Sequence, residues 1–447
     1  MALPSPSKDN APTHDFLEVF MPNSIRSAPA LNPQNYYRMP WSLTDNGVSW
    51  LEVTSQCNLA CEGCYHENIR NGHKSLVEIA AELEVFKKNR KSDCMSLAGG
   101  EPLVHPQITD IVRVVREGGW KPILNSNGLA LTPDLLKALK KAGVFGFTFH
   151  IDTSQSRRDS HATVEPQHNA LRLKLAEMVA KEGGMVCSFN QTVSSDSLQQ
   201  IPEMIRWAED YPDIINTMVF ILFRAPSLSA SYDFFVQGKK IDLYETYVKT
   251  SWGGNRNLNA ADLVEKIREG DPSYEPAAYL NGTVDPNTMK WTIASRIANR
   301  KKGFGFVSPK FMETVQTFHH RFTGKWMSYG PAYLLKAGRS AMAAFSLFDP
   351  VMRLLFRRFL ASPGSWFKRA YIQTFAIIQP VDILADGRMN MCDGCPDMTV
   401  HEGKLYWSCR LEEVKKFGTF VSAVAKADLA GEGTNRKATA KAGATYN

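Results

Sequence analysis

Six of the eight cysteines fall into two tight groups, and thiols at such spacing can bind a metal ion or an iron–sulfur cluster. The groups are Cys57, Cys61 and Cys64, in a CxxxCxxC pattern, and Cys392, Cys395 and Cys409. Thiolates are soft ligands that suit zinc and iron–sulfur centres. The first thirty residues show no secretory leader, so we expect a reducing compartment and metal ligands rather than disulfides. Cys94 and Cys187 lie in apolar runs and are predicted to be small buried hydrophobic residues.

The first cysteine group directly follows an apolar run, Val48–Thr54, which has the composition of a strand. Parallel α/β sheets carry their chemistry at the carboxyl ends of the strands, so this loop is well placed for a reaction. Three cysteines can hold three corners of a cubane cluster and leave the fourth iron open, whereas electron-transfer clusters usually use four. Zinc remains the alternative on these residues alone.

A second motif, Ala98-Gly99-Gly100-Glu101-Pro102, ends the next predicted strand. Together with CxxxCxxC it resembles the radical S-adenosylmethionine (radical SAM) superfamily over about residues 48–225. The resemblance implies a [4Fe–4S] cluster on Cys57, Cys61 and Cys64, with S-adenosylmethionine on its fourth iron. The cofactor-binding residues that it implies are Gly99, Gly100, Glu101, Asn127, Asp152 and Asn190. Asp152 is expected at the ribose, and Asn190 at the ribose or the methionine carboxylate.

For Asn127, Asp152 and Asn190, loop capping is the alternative. The two glycines are expected to let the backbone approach the cofactor's amino group. The family commonly has an aromatic residue before the third cysteine, whereas this chain has Gly63 there and Tyr65 after it.

The reaction that the resemblance implies is a one-electron cleavage of S-adenosylmethionine to a 5′-deoxyadenosyl radical. The radical then removes hydrogen from an unactivated carbon. No catalytic residue is expected beyond the cysteine loop, and the electron would come from a donor such as flavodoxin or ferredoxin.

The second cysteine group is a CxxC with a third thiol fourteen residues later, between two predicted hairpin turns, Asp386-Gly387 and Glu402-Gly403. One interpretation is a structural zinc site, with His401 as the nearest fourth ligand and Asp393 or Asp397 behind it. The other is a second [4Fe–4S] cluster, because a cysteine-bearing carboxy-terminal extension resembles the SPASM and Twitch domains of the radical SAM superfamily.

Alternating apolar runs and amphipathic stretches between residues 46 and 225 predict six strand-plus-helix units, with the sixth helix unassigned. The predicted fold is therefore α/β: a partial (β/α)6 TIM-like barrel with a basic helical segment and a small cysteine-rich auxiliary domain. The predicted divisions are a loosely ordered arm at 1–45, the core at 46–225, an unassigned region at 226–285, the basic aromatic helical segment at 286–377, the cysteine-rich domain at 378–418 and a disordered tail at 419–447.

The net charge of +7 comes from one segment. Residues 286–371 hold fifteen Lys and Arg and sixteen aromatic residues, against two acids, Glu313 and Asp349. A helix that begins at Asp349-Pro350 would carry Met352, Leu355, Phe356 and Phe359 on one face, beside Arg353 and Arg357. Such a helix suits an anionic membrane interface. Core packing with a solvated basic side and nucleic-acid binding are the alternatives, the latter disfavoured by the helical apolar spacing.

These features together predict a cytoplasmic radical SAM enzyme, an oxidoreductase or a transferase, that associates with the inner membrane face and functionalises a C–H bond, in a lipid for example. A peptide or protein maturase is the enzymatic alternative. An iron–sulfur or zinc module that binds nucleic acid is the non-enzymatic one, and the glycine motif argues against it, because a binding module needs no cofactor cradle.

Overall fold

The computed structural model describes residues 31–61, 64, 66–223, 232–242 and 258–426. Their strands are β1 Tyr37–Arg38, β2 Val48–Thr54, β3 Cys94–Gly99, β4 Lys121–Ser126, β5 Gly146–His150, β6 Val186–Val193, β7 Thr217–Leu222, β8 Tyr232–Val236, β9 Lys239–Ile241, β10 Ala278–Asn281, β11 Met289–Asn299, β12 Lys302–Phe306, β13 Tyr371–Ile378, β14 Asp382–Ile383, β15 Met389–Asn390, β16 Met398–His401, β17 Lys404–Trp407 and β18 Ser422–Ala425. The helices are α1 Leu76–Asn89, α2 Ile108–Glu117, α3 Pro133–Ala142, α4 Asn169–Glu182, α5 Ile201–Glu209, α6 Ala260–Gly270, α7 Pro309–Thr323, α8 Ala332–Leu335, α9 Gly338–Phe345, α10 Pro350–Leu360 and α11 Leu411–Phe417.

One large sheet organises the chain, in the order β1-β10-β11-β13-β7-β6-β5-β4-β3-β2, with β12 also paired to β11. Strands β2 to β7 run parallel to their neighbours, and β13 is parallel to β7. Strand β11 is antiparallel to β10, β12 and β13. The predicted α/β fold with a partial TIM-like barrel is confirmed, because a helix connects each pair of successive parallel strands from β2 to β7.

Each strand–helix unit follows from local sequence. In the first, Leu51 and Val53 are buried on the side of β2 that packs with Ile79, Leu83 and Phe86 in one hydrophobic core. Helix α1 begins with a capping box: the Ser75 Oγ accepts the Glu78 N–H at 3.2 Å, and the Glu78 carboxylate accepts the Ser75 N–H at 2.7 Å. The opposite faces of the strands are left to form the barrel interior.

The amino-terminal end of the barrel interior is closed by the segment that follows α7. The Tyr329 hydroxyl lies 3.3 Å from the Thr148 hydroxyl, and Tyr329 and Leu335 pack on Cys94, Ile123 and Val186. Cys94 and Cys187 are both buried, as predicted. The opposite end of the strands is therefore the end at which a site can open.

The segment at 286–377, predicted to be helical, is helical only in its middle. Strands β11, β12 and β13 occupy its two ends and belong to the central sheet, so the sheet does not end near residue 225. Strand β11 is buried on both faces over most of its length, and such a strand lacks the period-2 alternation that identifies a half-exposed strand. Helices α7 to α10 lie between them in the chain.

The face of α10 that we assigned to a membrane is buried in the protein. Met352, Leu355 and Phe359 pack in one core with Phe304 and Phe311. The core-packing alternative therefore holds for this face. No helix among the described residues is long and apolar enough to cross a membrane.

The predicted loose arm and disordered tail are wrong for the parts that the structure describes. Strand β1 pairs in parallel with β10, and Met39 and Trp41 behind it are buried. Strand β18 pairs with β8, which lies in the unassigned 226–285 region together with β9, α6 and β10. Backbone pairing and burial of a few apolar residues order these short stretches despite their composition. Residues 1–30 and 427–447 lie outside the described residues.

Candidate active site

The two glycines hold the first cysteine loop against the end of β3. The Gly100 N–H donates to the Thr54 carbonyl and the Glu101 N–H to the Gln56 carbonyl, each at 2.8 Å. A Cβ on Gly99, which has φ +116°, would lie 2.2 Å from the Thr54 oxygen, and one on Gly100 would lie 2.3 Å from the Gln56 oxygen. Glycine is required here for the close approach of two backbones, directly before Cys57.

Asn68 fixes the backbone of the cysteine loop from its other side. Its Oδ1 accepts the Cys57 N–H at 2.9 Å, and its Nδ2 donates to the carbonyl oxygens of Cys57 and Leu59 at 3.2 and 3.5 Å. The Leu59 N–H in turn points to the Cys57 Sγ at 3.5 Å. Backbone N–H groups directed at a sulfur ligand are the usual means of tuning an iron–sulfur centre.

The three thiols of this loop are partly buried and close enough to influence one another. Burial raises the pKa of Cys57, Cys61 and Cys64, and the charges of Cys57 and Cys64 raise the pKa of Cys61 further. All eight cysteines are free of disulfides. Within the described residues, no three potential ligands already stand at metal-binding distance. A bound cation or cluster would favour the thiolate form of these three neighbouring side chains and so offset the effect of their burial.

Glu101 joins the ends of two strands to the cysteine loop. Its carboxylate is buried and accepts three hydrogen bonds, from the Leu103 N–H at 2.9 Å, the Ser126 hydroxyl at 2.7 Å and the Asn127 N–H at 2.7 Å. The Asn127 Nδ2 continues the chain of contacts to the Asn58 Oδ1 at 2.7 Å. The predicted cofactor residues Glu101 and Asn127 are therefore both engaged in positioning the loop.

Asp152, predicted at the ribose, is only 1% exposed and its two oxygens are occupied. They accept the His150 Nε2–H at 2.7 Å, the Thr192 N–H at 2.9 Å and the N–H and hydroxyl of Ser154. Burial alone would raise the pKa of Asp152, but the His150 charge and these donors outweigh it and lower the pKa. Asp152 therefore positions His150, and its contact with the ribose stays a prediction.

His150 is the side chain that reaches the barrel interior at this point. It lies on the same face of β5 as Thr148, two residues closer to the open end, and its side chain is 35% exposed. Burial would lower its pKa, but the Asp152 carboxylate raises it overall. Its register partner on β6 is Asn190, the sixth predicted cofactor residue, which is half-buried. His150 and Asn190 thus line the interior together.

Two arginines that the sequence did not single out fix the loop after β5. Arg172 is fully buried, pairs with Glu165 at 2.6 Å and donates to the Ile151 carbonyl at 2.6 Å. Arg157 pairs with Asp159 through its Nε and Nη2, each at 2.9 Å, and its Nη1 donates to the Asn127 carbonyl at 2.9 Å. A lone arginine in a polar loop carries no local signal of such a role, because its partners lie elsewhere in the chain.

The structure also brings the second cysteine group together. Cys392 and Cys395 share a hydrogen bond that holds the pKa of Cys392 below, and that of Cys395 above, the usual range. Burial raises the pKa of Cys409 to about 12, with the charge of Cys392 adding to it. The hairpin turns at Gly387 and at Glu402-Gly403 form as predicted, with positive φ at these residues.

The charge of Asp397 raises the pKa of all three of these thiols. Burial raises the pKa of Asp397 itself to about 6. Asp393 instead forms an ion pair with Arg38. His401, the first-choice fourth ligand, packs its ring on Tyr406 in the hairpin, with 6.2 Å between the ring centroids. Asp397 and His401 therefore both stay candidates for a fourth ligand.

The two cysteine groups are linked through helix α11. His66 Nδ1, two residues after Cys64, lies 3.3 Å from Glu412 Oε1, and Lys415 Nζ lies 3.7 Å from the buried Glu52 of β2. Glu412 follows Cys409 by three residues. Arg90 ties the second cysteine group to the amino-terminal end of β2, because its buried guanidinium donates to the carbonyls of Val48 and Cys395, each at 2.7 Å.

Comparison with known proteins agrees with this arrangement. Residues 51–208 match the family model of the Radical SAM superfamily. An AdoMet-dependent heme synthase of Methanosarcina barkeri is 27% identical over 184 residues, which are 39% of this chain and 50% of the relative. The tungsten-containing aldehyde ferredoxin oxidoreductase cofactor-modifying protein of Pyrococcus furiosus is 29% identical over 167 residues, which are 35% and 47% of the two chains. The chain thus spans about half the length of these curated relatives.

A similar solved structure is that of Streptococcus suis SuiB, at 15% identity and a TM-score of 0.35, covering 50% of this chain and 45% of that one. A TM-score this low supports no argument about the site. The predicted resemblance to the radical SAM superfamily is confirmed by the family match at residues 51–208.

Proposed function

We propose that this chain, whose residues 51–208 match the family model of the Radical SAM superfamily, is an enzyme that cleaves S-adenosylmethionine reductively and functionalises an unactivated C–H bond. A [4Fe–4S] cluster on Cys57, Cys61 and Cys64 would supply one electron to the sulfonium, which breaks the S–C5′ bond into methionine and a 5′-deoxyadenosyl radical. The observation that carries the proposal is that Gly99 and Gly100 hold the segment before Cys57 at the open end of the barrel, where Cys57, Cys61 and Cys64 are half-buried.

The chain's own residues position the reactants. Asn68 and Glu101 hold the cysteine loop through the hydrogen bonds described above. His150, whose pKa the Asp152 carboxylate raises, offers a ring N–H donor inside the barrel for a carboxylate or phosphate of the bound molecules. The closed amino-terminal end of the barrel restricts the entry of solvent at that end, which would protect a radical from competing hydrogen donors.

The proposal is tested by anaerobic reconstitution, reduction with dithionite and measurement of 5′-deoxyadenosine. We expect formation by the wild-type protein and none by Cys61→Ala. Cys187→Ala, a buried cysteine outside the loop, is the matched control and should retain the activity. Undiminished 5′-deoxyadenosine from Cys61→Ala would end the radical SAM interpretation.

We propose that Cys392, Cys395, Cys409 and Asp397 hold a second metal centre, an auxiliary [4Fe–4S] cluster with zinc as the alternative. Mutual influence of the three thiols and the nearby carboxylate supports a four-ligand set. Metal analysis should find more than about four irons per chain, whereas about four irons with one zinc would identify a zinc site. Asp397→Ala should lose the second metal and His401→Ala should keep it, and the reverse result would restore His401 as the ligand.

For the substrate we propose a lipid that is reached from the cytoplasmic membrane surface, with flavodoxin or ferredoxin as the reductant. The cationic, aromatic layer of helices α7 to α10 supports this choice. Lipid and peptide profiling of cells that lack the gene would decide between a lipid-modifying enzyme and a peptide or protein maturase. A missing lipid species supports the proposal, and an unmodified peptide overturns it.

A further inference from the structure

Exposed large apolar side chains concentrate in one short stretch of the chain. Of the fourteen found among the described residues, seven lie between residues 347 and 367, and Phe367 and Leu347 are 99% and 80% exposed. We call this set the outer strip: Leu347, Phe348, Val351, Leu354, Leu360, Trp366 and Phe367. Single exposed apolar residues are ordinary, but seven within one helix and its two flanking turns form a patch that calls for a partner.

The outer strip is the reverse side of the face that we first assigned to a membrane. Met352, Leu355 and Phe359 anchor α10 in the core, so Leu354 projects on the opposite side and Val351 lies at the edge between the two faces. The turn before α10 and the short 3-10 turn after it extend the strip at both ends. Helix α10, with eleven residues, is about 16 Å long.

Hydrogen bonds hold the backbone under the outer strip in place. The Arg353 guanidinium donates to the carbonyls of Ser346 at 2.8 Å and Leu347 at 3.1 Å. The Trp366 indole N–H donates to the Leu360 carbonyl at 2.9 Å. Apolar side chains are therefore presented by an ordered helix and its turns, and not by a frayed end.

The charge around the outer strip has one sign. Residues 309–370 contain ten Lys and Arg and two acids, Glu313 and Asp349. Asp349 is buried as the N-cap of α10, where it accepts the Val351 and Met352 N–H groups. Exposed Arg357 and Arg369 flank the apolar residues of the strip. A cationic rim around aromatic and aliphatic side chains complements anionic headgroups above an acyl layer.

We propose that the outer strip docks the protein on an anionic phospholipid bilayer, with Leu347, Leu354 and Phe367 entering the acyl boundary while the arginines meet the headgroups. The inference deepens the proposed function, on which its lipid-delivery role rests, because docking would bring the barrel to a lipid substrate. Membrane association itself requires neither the cluster nor S-adenosylmethionine.

The test is sedimentation of the full chain with phosphatidylcholine vesicles, with and without phosphatidylglycerol. We expect binding to the anionic vesicles only, weakened by salt. The triple variant Leu347→Ser/Leu354→Ser/Phe367→Ser should lower the partition coefficient at least about tenfold, since three apolar side chains no longer leave water. Arg357→Glu and Arg369→Glu should each lower it at least about fivefold. Val77→Ser removes an apolar side chain that is 80% exposed on α1, and should leave binding unchanged.

Vesicle binding by the triple variant equal to wild type would overturn the inference. So would a wild-type dimer that the triple variant converts to a monomer in sedimentation velocity, because the strip would then cover a second copy. Dithionite-driven formation of 5′-deoxyadenosine in solution separates the two proposals. Its retention in a variant that no longer binds vesicles supports the docking surface, and its absence in a wild-type protein that does bind refutes only the proposed function.

Discussion

Replacing Glu101 by Gln separates a positioning role for this carboxylate from direct contact with the cofactor. Glutamine keeps one oxygen, which can still accept from Leu103 and Ser126, but its amide nitrogen then faces the Asn127 N–H. Loss of one hydrogen bond to a buried charged acceptor costs about 1.5–3 kcal/mol. Burial already raises the pKa of Glu101, so a neutral side chain recovers part of this cost.

We therefore expect Glu101→Gln to lose about 2 kcal/mol, which lowers the melting temperature of a domain of this size by about 4–8 °C. Glu101→Ala, which removes all three acceptor contacts, should lose about 3–5 kcal/mol. The assays are thermal unfolding of the metal-free protein and S-adenosylmethionine binding to the reconstituted one. Glu84→Gln, an exposed site on α1 paired with Lys87, is the matched control and should unfold like wild type.

The reasoning fails if Glu101→Gln melts like wild type while its affinity for S-adenosylmethionine falls more than about tenfold. That result would mean that the carboxylate contacts the cofactor and that its three internal hydrogen bonds contribute little to stability. A lower melting temperature together with a parallel loss of bound iron would support the positioning role.

Three further predictions concern other parts of the molecule. Burial and neighbouring arginines lower the pKa of His168 to about 4. The native state therefore binds fewer protons than the unfolded chain below pH 7, and the free energy of unfolding should fall by about 2 kcal/mol from pH 7.5 to pH 5. In urea titrations the His168→Gln variant should show a weaker pH dependence of the free energy of unfolding. The same pH dependence in variant and wild type would contradict the prediction. Gly99→Ala should reduce the amount of bound iron. Gly119→Ala is the control, because Gly119 also has a positive φ of +89° but no atom lies within 4 Å of the added Cβ, and it should not reduce bound iron. The same iron content in both variants would refute the close-approach argument. Arg90→Met should release metal from the second cysteine group before the first, as followed by chelator titration; simultaneous loss would contradict it.

The central strands were predictable because their signal is local. Val48–Thr54 and Val186–Val193 have the bounds that their apolar runs indicate, and the cap at Ser75 marks where the first helix begins. The place of β13 beside β7 was not predictable, because parallel pairing between distant segments leaves no mark on either sequence. The buried face of α10 was not predictable either. Both sides of this helix carry apolar residues, and only the packing of neighbouring elements decides which side is buried.

The candidate site divides in the same way. Cysteine spacing and the glycine pair identify where the chemistry would lie, since thiols at that spacing have few other uses. Residue type did not predict which polar side chain faces the barrel interior. The Asp152 carboxylate accepts hydrogen bonds from four donors of the protein, and His150, two residues earlier, reaches the interior. Only the alternation of faces along β5, counted from the buried Phe149, would have identified His150.

The position of β13 in the sheet has a consequence for biosynthesis. Strand β7 receives its second neighbour only from residues 371–378, about 150 residues further along the chain. At about 5–20 residues per second, a ribosome takes roughly 7–30 s to make that stretch. Throughout this interval β7, with Met218 and Phe220 on one face, carries an unpaired parallel edge of the kind that recruits foreign strands. Nascent chains of this protein should therefore depend on chaperones until the ribosome has passed residue 378.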